Sequence, residues 1–489
     1  MKNGDIILQT TVFSKCQNKQ GLYYHITGTG KVSENALKLE KGAILSTLTY
    51  MSCFDSWAWN RYTGIKNWKL AVTVQGALNL SLYRWDGNEK LLVSEKQTAT
   101  KREMLIANFP QPEDGSLIFF EIVALEDATI YEAEYRAEVD DGNINPVHLS
   151  VLICTYKRNL ELQRSIETLE NSKFFHEASS YYGGMSLRIV DNASELPVID
   201  RKFIKLYHNP NTGGSGGFTR GIMETRKEEA EYGITHAVFM DDDTVVEAEC
   251  FYRLYALLGL VKPCYQEEVI AGRMFDLNKE YIQYTASEIW NKGDIKHVGF
   301  KRDMRKREEL LEMNREQGEY AGWWFACYPM SFVREEIPLP FFIHCDDVEY
   351  GLRHGGAPMI LNGIQVWHET YEKRQSPLIS YYDTRNKMIV NTMYHYYHNE
   401  RELLEKWYIE LVYALRAKKY CAIFPSLMAL KDYLKGREYF MNQTMKKENV
   451  TLNLPLSTVV TLIQAVIQYP IFRVRIKKAF QTYKEINRE

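Results

Sequence analysis

The chain of 489 residues is too long for one ordinary hydrophobic core, so its length predicts two or three domains. With 45% hydrophobic and 25% charged residues it has a globular composition, and its net charge of −3 argues against a nucleic-acid partner. The eight cysteines show no CxxC pair or metal-ligand spacing, and the first residues do not resemble a signal peptide. These features predict reduced thiols in a cytosolic protein.

Residues 1–145 are predicted to form a β-sandwich. Short runs with alternating apolar and polar side chains, such as residues 70–74, are separated by turn signals. Trp57 and Trp59 could contact carbohydrate, but packing in the core is the better interpretation of such aromatic residues. Residues 140–146 have the composition of a linker.

After this linker, strand-like and helix-like segments alternate, which predicts a mostly parallel sheet covered by helices. Strands are predicted at residues 149–153, 187–190, near 206 and at 237–240, and helices at about 160–171 and 219–231. Polar residues follow three of these strands: Thr155 and Arg158, then Asp191, then residues 241–243. Because ligands bind at the carboxyl ends of parallel strands, we expect these side chains to lie at one site.

The acidic run Asp241-Asp242-Asp243 is the strongest single indication of chemistry. In an extended segment Asp241 and Asp243 point the same way, and such a pair suits Mg²⁺ or Mn²⁺ completed by phosphate oxygens and water. Enzymes hold nucleoside diphosphates in this way. A solvated acidic turn or a helix N-cap is the alternative for an isolated motif of this kind.

A glycine-rich stretch, residues 211–221, precedes the second predicted helix. Glycines let the backbone approach a ligand closely, and Asn211, Gly213 and Gly214 are candidates for this role. A flexible loop is the alternative. The stretch fits neither a dinucleotide-binding fingerprint nor a P-loop.

Three further motifs each have a structural and a functional interpretation. The Trp323-Trp324 pair could pack against a sugar or belong to the core. Asp346 and Asp347 could cap a helix, or one of them could act as a general base, since adjacent carboxylates raise each other's proton affinity. His368 could join the acidic run as a metal ligand or have a structural role.

Two later segments are rich in charge. Residues 295–316 are predicted to be an exposed helix or loop rather than an acceptor-binding patch. From about residue 385 the chain is predicted to be helical, and residues 472–478 mix apolar and basic side chains. They fit a surface helix on anionic lipid or an ordinary packed helix. The longest apolar run, residues 458–471, is broken by polar residues and a proline, so no membrane span is predicted.

The joint order of these motifs resembles bacterial galactofuranosyltransferases of the mycobacterial galactan-synthase type. These are inverting enzymes of glycosyltransferase family 2 with an α/β GT-A catalytic fold. The resemblance covers residues 147–395 by motif and extends to the flanking regions by architecture. It implies a β-sandwich at 1–145, a Rossmann-like GT-A domain at 146–395 and a helical domain at 396–489.

The resemblance also implies residue roles. Asp347 would be the catalytic base, with Asp346 beside it. The metal ligands for Mn²⁺ or Mg²⁺ would be Asp241, Asp243 and His368. The nucleotide-sugar donor would be bound by Thr155, Arg158, Asp191, Asn211, Gly213, Gly214 and Asp242. The acceptor would contact Trp323, Trp324 and Glu288.

The partners implied are a UDP-sugar donor and a glycan or glycolipid acceptor, with peripheral contact to the inner membrane surface and assembly into a homo-oligomer. Two positions differ from the mycobacterial type: Cys345 stands where similar proteins often carry Trp, and Asp383 where that type has His. Both differences bear on which acceptor is used and on whether the product is a polymer. Three alternatives remain open at this stage: another donor (UDP-glucose, UDP-galactopyranose or dTDP-rhamnose), a carbohydrate-binding protein built on the β-domain, and a nucleotidyltransferase.

Overall fold

The computed structural model describes residues 4–14, 17–33, 36–65, 67–98, 101–109, 115–139, 144–370, 376–443 and 455–486. Residues 140–143 of the predicted linker lie outside this part of the chain.

The first part of the chain forms two antiparallel sheets that make a sandwich, as predicted. Its elements are β1 (Gly4–Thr10), β2 (His25–Thr27), β3 (Gly30–Ser33), β4 (Ala36–Leu39), β5 (Ile44–Ser46), β6 (Phe54–Asp55), α1 (Ser56–Tyr62), β7 (Trp68–Gln75), β8 (Leu78–Trp85), β9 (Lys90–Thr98), β10 (Glu103–Phe109), β11 (Leu117–Ala124) and β12 (Ala128–Val139). One sheet has the order β10-β7-β12-β4-β3, with β1 also on β12. The other has the order β2-β5-β11-β8-β9, with β6 also on β11.

Alternation along the strands builds the core of the sandwich. In β10, Leu105, Ala107 and Phe109 are buried, whereas the residues between them are exposed. This is the period of two expected for a strand with one face on the core. Trp59 is fully buried and stacks on Phe54 with ring centroids 6.0 Å apart, so it is a core residue.

The second part of the chain alternates strands and helices. Its elements are β13 (Leu149–Thr155), α2 (Asn159–Glu170), β14 (Met185–Asp191), β15 (Asp200–Arg201), β16 (Ile204–His208), α3 (Gly213–Tyr232), β17 (His236–Asp241), α4 (Ala248–Leu260), β18 (Ile270–Ala271), β19 (Arg273–Asp276), β20 (Ile282–Thr285), β21 (Glu288–Asn291), β22 (Asp294–His297), β23 (Arg302–Asp303), α5 (Arg307–Leu310), β24 (Ala326–Pro329), α6 (Met330–Glu335), α7 (Asp346–His354) and β25 (Gln365–His368).

The main sheet of this part has seven strands in the order β15-β16-β14-β13-β17-β24-β18. Strands β16, β14, β13 and β17 are mutually parallel, and β24 runs antiparallel to β17. Strand β14 is buried along its whole length, as expected for a parallel strand covered on both faces. The sheet is therefore mostly parallel, which confirms the α/β prediction and the GT-A architecture.

Helix α3 begins six residues earlier than predicted, at Gly213 rather than at Thr219. The glycine-rich stretch thus forms the first turns of a helix and is not a loop. A Cβ at Gly217 would lie 2.0 Å from the Cys154 sulfur, and a Cβ at Gly213 would lie 2.0 Å from the Phe342 carbonyl oxygen. Glycine is needed there because the helix lies directly against β13 and against the segment before α7.

A matched pair of substitutions tests this packing. Gly217→Ala should lower the free energy of unfolding by ~1–3 kcal/mol, since its methyl group has no space beside Cys154. Gly221→Ala, one turn further along, places its methyl at 3.4 Å from Leu152 and should be neutral or stabilising by up to ~1 kcal/mol. Urea unfolding followed by circular dichroism measures both. Equal stability of the two variants would contradict the close packing of α3.

The last part of the chain is helical, but it starts at Pro377 rather than near residue 385. Its helices are α8 (Pro377–Met393), α9 (Glu400–Arg416), α10 (Tyr420–Tyr433), α11 (Arg437–Met441) and α12 (Pro455–Lys484). Together with parts of residues 341–348 they share one apolar core. Within the described residues, none of the helices is long and apolar enough to cross a membrane. Helix α8 packs on these helices and also donates hydrogen bonds to the segment before α7. The predicted domain limit at 395/396 therefore stays a prediction, as does the limit at 145/146.

Buried polar contacts join the sandwich to the α/β region. The Arg253 side chain is fully buried, and it donates to the carbonyls of Met51 at 2.6 Å and Asn362 at 3.0 Å. It also pairs with Glu249, whose carboxylate accepts a hydrogen bond from the Thr10 amide. A guanidinium satisfied from both sides fixes the two regions against each other.

The charge-dense residues 295–316 also contact the sandwich. They contain short strands and the one-turn helix α5 rather than a longer exposed helix. Arg315 donates to the Gly115 carbonyl at 2.8 Å, and Asn314 donates to Asp55 at 2.9 Å. Part of this segment is therefore an internal contact.

Candidate active site

Two carboxylates and a histidine meet where β17 ends. Strand β25 bridges to Val245 through backbone hydrogen bonds at Trp367, which brings His368 beside the acidic run. The His368 Nε2 atom lies 3.0 Å from Asp243 Oδ1 and 3.7 Å from Asp241 Oδ2. The structure thus brings Asp241, Asp243 and His368 together, with one ligand atom of each within 4.8 Å of the others.

The donor atoms of this group fit a divalent cation. His368 Nδ1 lies 2.7 Å from the Glu369 carbonyl, to which only a protonated nitrogen can donate. In the neutral ring this leaves Nε2 with its lone pair towards the carboxylates, the arrangement of a metal-binding histidine. Burial raises the pKa of the Asp241 carboxyl to about 7, with Asp243 adding to the shift and His368 opposing it. Clustered carboxylates of this kind are favourable around a cation.

Asp242, the middle residue of the run, has a different environment. It is 5% exposed and accepts hydrogen bonds from Thr155 at 2.7 Å and from Arg158 at 2.9 Å. Arg158 also pairs with Asp243 at 2.7 Å. These contacts tie the end of β13 to the end of β17, so they orient the two carboxylates on either side of Asp242.

The neighbouring strand and α3 complete this edge of the sheet. The Asp191 carboxylate accepts three hydrogen bonds at 2.8 Å each, from the amides of residues 193, 195 and 196. It therefore holds the turn after β14. Asn211 accepts from the Gly213 amide at 3.2 Å, and the Gly213 carbonyl accepts from Asn192 at 2.9 Å. The N-terminus of α3, an end that favours anions, thereby faces the strand ends.

Asp346 and Asp347 begin helix α7 on the other side of α3. Asp346 is buried and accepts a hydrogen bond from Ser215 at 3.0 Å. Asp347 is half-buried and accepts from the Val348 amide at 2.8 Å. Burial raises the pKa of the Asp347 carboxyl to about 8, and the charges of Asp346 and Glu288 add to this shift. A carboxylate with this pKa can accept a proton near neutral pH.

The backbone before these carboxylates is strained and is held by α8. Phe342, His344 and Cys345 have φ values of 75°, 64° and 63°, a region that non-glycine residues seldom occupy. Asn386 donates to the carbonyls of Ile343 and His344 at 2.8 Å each. Asn386 and Ser215 were not predicted to be site residues from the sequence. The polar residues beside Arg385 in α8 were the sequence feature that could have pointed to Asn386.

A histidine–aspartate pair lies near Asp347, and its aspartate, Asp383, is one of the two positions at which this chain differs from the mycobacterial type. His344 pairs with Asp383 at 2.6 Å. Burial lowers the pKa of His344, but the hydrogen bond and charge of Asp383 outweigh it, so that the pKa is raised. In its protonated form His344 favours the ionised forms of Asp346 and Asp347.

The residues predicted to contact the acceptor are buried. Trp323 is 5% exposed and packs on Phe239 with ring centroids 4.9 Å apart. Trp324 is 3% exposed, and its indole N–H donates to the Gly272 carbonyl at 2.8 Å. Glu288 is 2% exposed and accepts from His297 at 2.8 Å. Direct contact of these three residues with a sugar stays a prediction.

Comparison with known proteins agrees with this geometry. Residues 24–138 match the family model described as galactofuranosyltransferase 2 N-terminal, and residues 150–273 match glycosyl transferase family 2. The second region is therefore similar to a glycosyltransferase family 2 domain over residues 150–273. The family 2 match contains the ends of β13, β14 and β17 and the start of α3, which are the elements that carry the acidic run and the glycines.

Curated relatives support the same assignment. The galactofuranosyltransferase GlfT2 of Mycobacterium tuberculosis is 24% identical over 397 residues, which is 74% of this chain and 60% of the relative. GlfT2 of Mycolicibacterium smegmatis is 24% identical over 446 residues, which is 83% of this chain and 66% of the relative. The chain therefore spans less than two thirds of the length of these relatives. The similarity confirms the predicted resemblance to mycobacterial galactofuranosyltransferases.

One solved structure is similar to a smaller part of the chain. The CBM22-1 xylan-binding domain of Paenibacillus barcinonensis Xyn10C covers 29% of this chain and 99% of its own, with 14% identity and a TM-score of 0.21. A similarity of this size carries no conclusion about function.

Proposed function

We propose that the protein is a metal-dependent inverting galactofuranosyltransferase. It would move galactofuranose from UDP-galactofuranose to a hydroxyl group of a lipid-linked glycan. The main support is the meeting of two acidic groups around the N-terminus of α3: Asp346 contacts Ser215 of this helix, and Gly213 joins it to the strand ends that carry the acidic run. The group of Asp241, Asp243 and His368 suits a cation, and the pair of Asp346 and Asp347 suits a general base.

The reaction we propose is a single displacement. The acceptor hydroxyl attacks the anomeric carbon while Asp347 takes its proton, and the bond from that carbon to the diphosphate oxygen breaks with release of UDP. One displacement inverts the configuration at this carbon. Asp346, held by Ser215, keeps negative charge beside Asp347 and so helps to maintain its high proton affinity.

Asp241, Asp243 and His368 would hold Mn²⁺ or Mg²⁺, which would neutralise the charge that develops on the departing diphosphate. Thr155, Arg158 and Asp242 would keep this group in place from the side of β13. Asp191, Asn211, Gly213 and Gly214 would shape the donor side through the turns they hold.

The configuration of the product tests the proposal. Proton NMR of the product formed from UDP-galactofuranose should show the new glycosidic bond with the anomeric configuration opposite to that of the donor. Retention of configuration would contradict a single displacement with Asp347 as base. The proposal includes action in the cytoplasm at the inner membrane face, and assembly into a homo-oligomer, both by similarity alone.

The pH dependence of transfer should follow Asp347. The base works only when it is ionised, so kcat/KM should rise with pH and level off above a pKa of about 8. Initial rates of UDP release with saturating Mg²⁺ between pH 6 and 9.5 measure this. A rate that is independent of pH over this range would contradict the assignment of the base.

The Asp383→Asn variant should shift this pH dependence. Without Asp383 the pKa of His344 falls, so that less of its positive charge remains to favour the ionised form of Asp347, and the rising limb should move to higher pH. Asp303→Asn, which removes a surface carboxylate paired with Arg305, should leave the limb in place.

A further inference from the structure

One segment of the sandwich region reaches the surroundings of the proposed metal site. Residues Gln17–Leu22 form a short 3-10 helix between β1 and β2. The side chain of Lys19 in this helix is 11% exposed, and its ammonium nitrogen lies 2.9 Å from Glu247 Oε1. The same nitrogen lies 3.9 Å from the centre of the Trp367 ring, which is the geometry of a cation–π contact. Lys19 therefore binds two residues of the α/β region at once.

The two partners of Lys19 belong to the two segments that supply the metal ligands. Trp367 directly precedes His368 on β25, and Glu247 follows Asp243 by four residues, immediately before α4. Two backbone hydrogen bonds between Trp367 and Val245, at 2.8 and 2.9 Å, join these segments. A shift of one segment against the other would change the 3.0 Å distance between His368 Nε2 and Asp243 Oδ1.

Both partners of Lys19 are themselves held in place. The Tyr23 hydroxyl donates to the Glu247 carboxylate, whose two oxygens lie at 2.6 and 2.7 Å, and Tyr23 is fully buried. The Trp367 ring is 1% exposed, and its indole N–H donates to the Glu280 carbonyl at 2.8 Å. An exposed ion pair contributes little because its side chains must first be ordered. Here the partners are already ordered, so Lys19 makes a fixed connection between the two segments.

Docking of the sandwich on the α/β region does not explain this connection. The Lys262 ammonium donates to two carbonyls of α1 at 2.6 and 3.0 Å, and its amide donates to the Tyr62 carbonyl at 2.8 Å. Lys262 lies past the other end of α4, roughly 20 Å along the helix from Glu247. The two regions are thus joined far from the acidic run, and a second lysine at the metal end has a different consequence.

We propose that Lys19 and Tyr23 are positioning residues for the metal site. By binding Glu247 and Trp367, they hold the two segments that carry the ligands at the separation that a divalent cation requires. Residues that orient metal ligands commonly determine metal affinity. The inference rests on the metal site of the proposed function, and it gives the sandwich region a part in the catalytic machinery.

Binding of Mn²⁺ to the full chain tests this inference without any transfer reaction. The electron paramagnetic resonance signal of free Mn²⁺, followed at saturating UDP, measures the affinity. Lys19→Met keeps an unbranched side chain but removes the charge, and it should weaken Mn²⁺ binding by about 3- to 10-fold, for the loss of one cation–π contact. Tyr23→Phe should also weaken it. Lys19→Arg should restore the affinity to within about twofold, because a guanidinium pairs with a carboxylate and packs on an aromatic face.

Lys262→Met and Tyr62→Phe are the matched controls, since they remove side chains of the same kinds at the other end of α4. Both should bind Mn²⁺ as the unmodified protein does. Unchanged affinity in Lys19→Met, or an equal loss in Lys262→Met, would overturn this inference and leave the proposed function standing. UDP binding that does not depend on metal in the unmodified protein would overturn the metal site, and this inference with it.

Discussion

The Asp347→Asn variant should lose transfer by ~10²- to 10⁴-fold while it still binds UDP in the presence of metal. Asparagine is close to aspartate in size and keeps an oxygen for the Val348 amide, but it cannot take the proton of the acceptor hydroxyl. The variant removes the base and leaves the group Asp241, Asp243 and His368 unchanged. The loss should therefore appear in kcat rather than in donor affinity.

Stability distinguishes loss of the base from loss of the fold. The pKa of Asp347 is raised from its usual range to about 8 in the folded protein. Between these values the folded state holds a proton that the unfolded state has lost, so this group reduces stability as pH rises towards 8. Asp347→Asn removes that penalty and should melt at pH 8 no lower than the unmodified protein. Normal turnover in a folded Asp347→Asn variant would show that another group is the base.

The second large effect is expected for Asp243→Asn. Asp243 lies between His368 at 3.0 Å and Arg158 at 2.7 Å, so it is central to the proposed metal site. Loss of one anionic ligand should weaken metal-dependent UDP binding by at least ~10- to 100-fold, the range found when groups supporting a metal site are changed. Calorimetric titration of UDP with Mg²⁺, and again with EDTA, measures the metal-dependent part.

Asp276→Asn is the matched control for this experiment. Asp276 is the register partner of His368 on β19, and its carboxylate accepts from the Asn278 amide. It should bind UDP with metal as the unmodified protein does. If Asp243→Asn also kept its metal-dependent binding, Asp243 would not be a ligand.

Most of the architecture could be predicted from the sequence because periodicity reports burial directly. The alternation in β10 and the apolar strands before Thr155 and Asp241 are properties of short segments. The start of α3 was predicted wrongly because glycine has low intrinsic helix propensity. Glycines are required there because Cys154 and Phe342 leave no space for side chains. This close approach depends on the tertiary structure and cannot be seen in the local sequence.

The site could be predicted only in part, because its residues come from segments that are far apart in the chain. Asp241, Asp243 and His368 could be connected only through the order of motifs, because His368 reaches the acidic run by a strand more than a hundred residues later. The hydrogen-bond partners of the site residues could not be predicted from the sequence. Asp242 is held by Thr155 and Arg158, and the segment before Asp346 is held by Asn386, through contacts that only the folded chain makes.

The central claim is the transfer of galactofuranose from UDP-galactofuranose. Purified protein with Mn²⁺ and a galactofuranosyl acceptor should release UDP from this donor, and the release should stop on addition of EDTA. UDP-galactopyranose, UDP-glucose and dTDP-rhamnose, the last followed as dTDP, should give no comparable release. Metal-dependent release from one of these three in place of the furanose donor would contradict the sugar assignment.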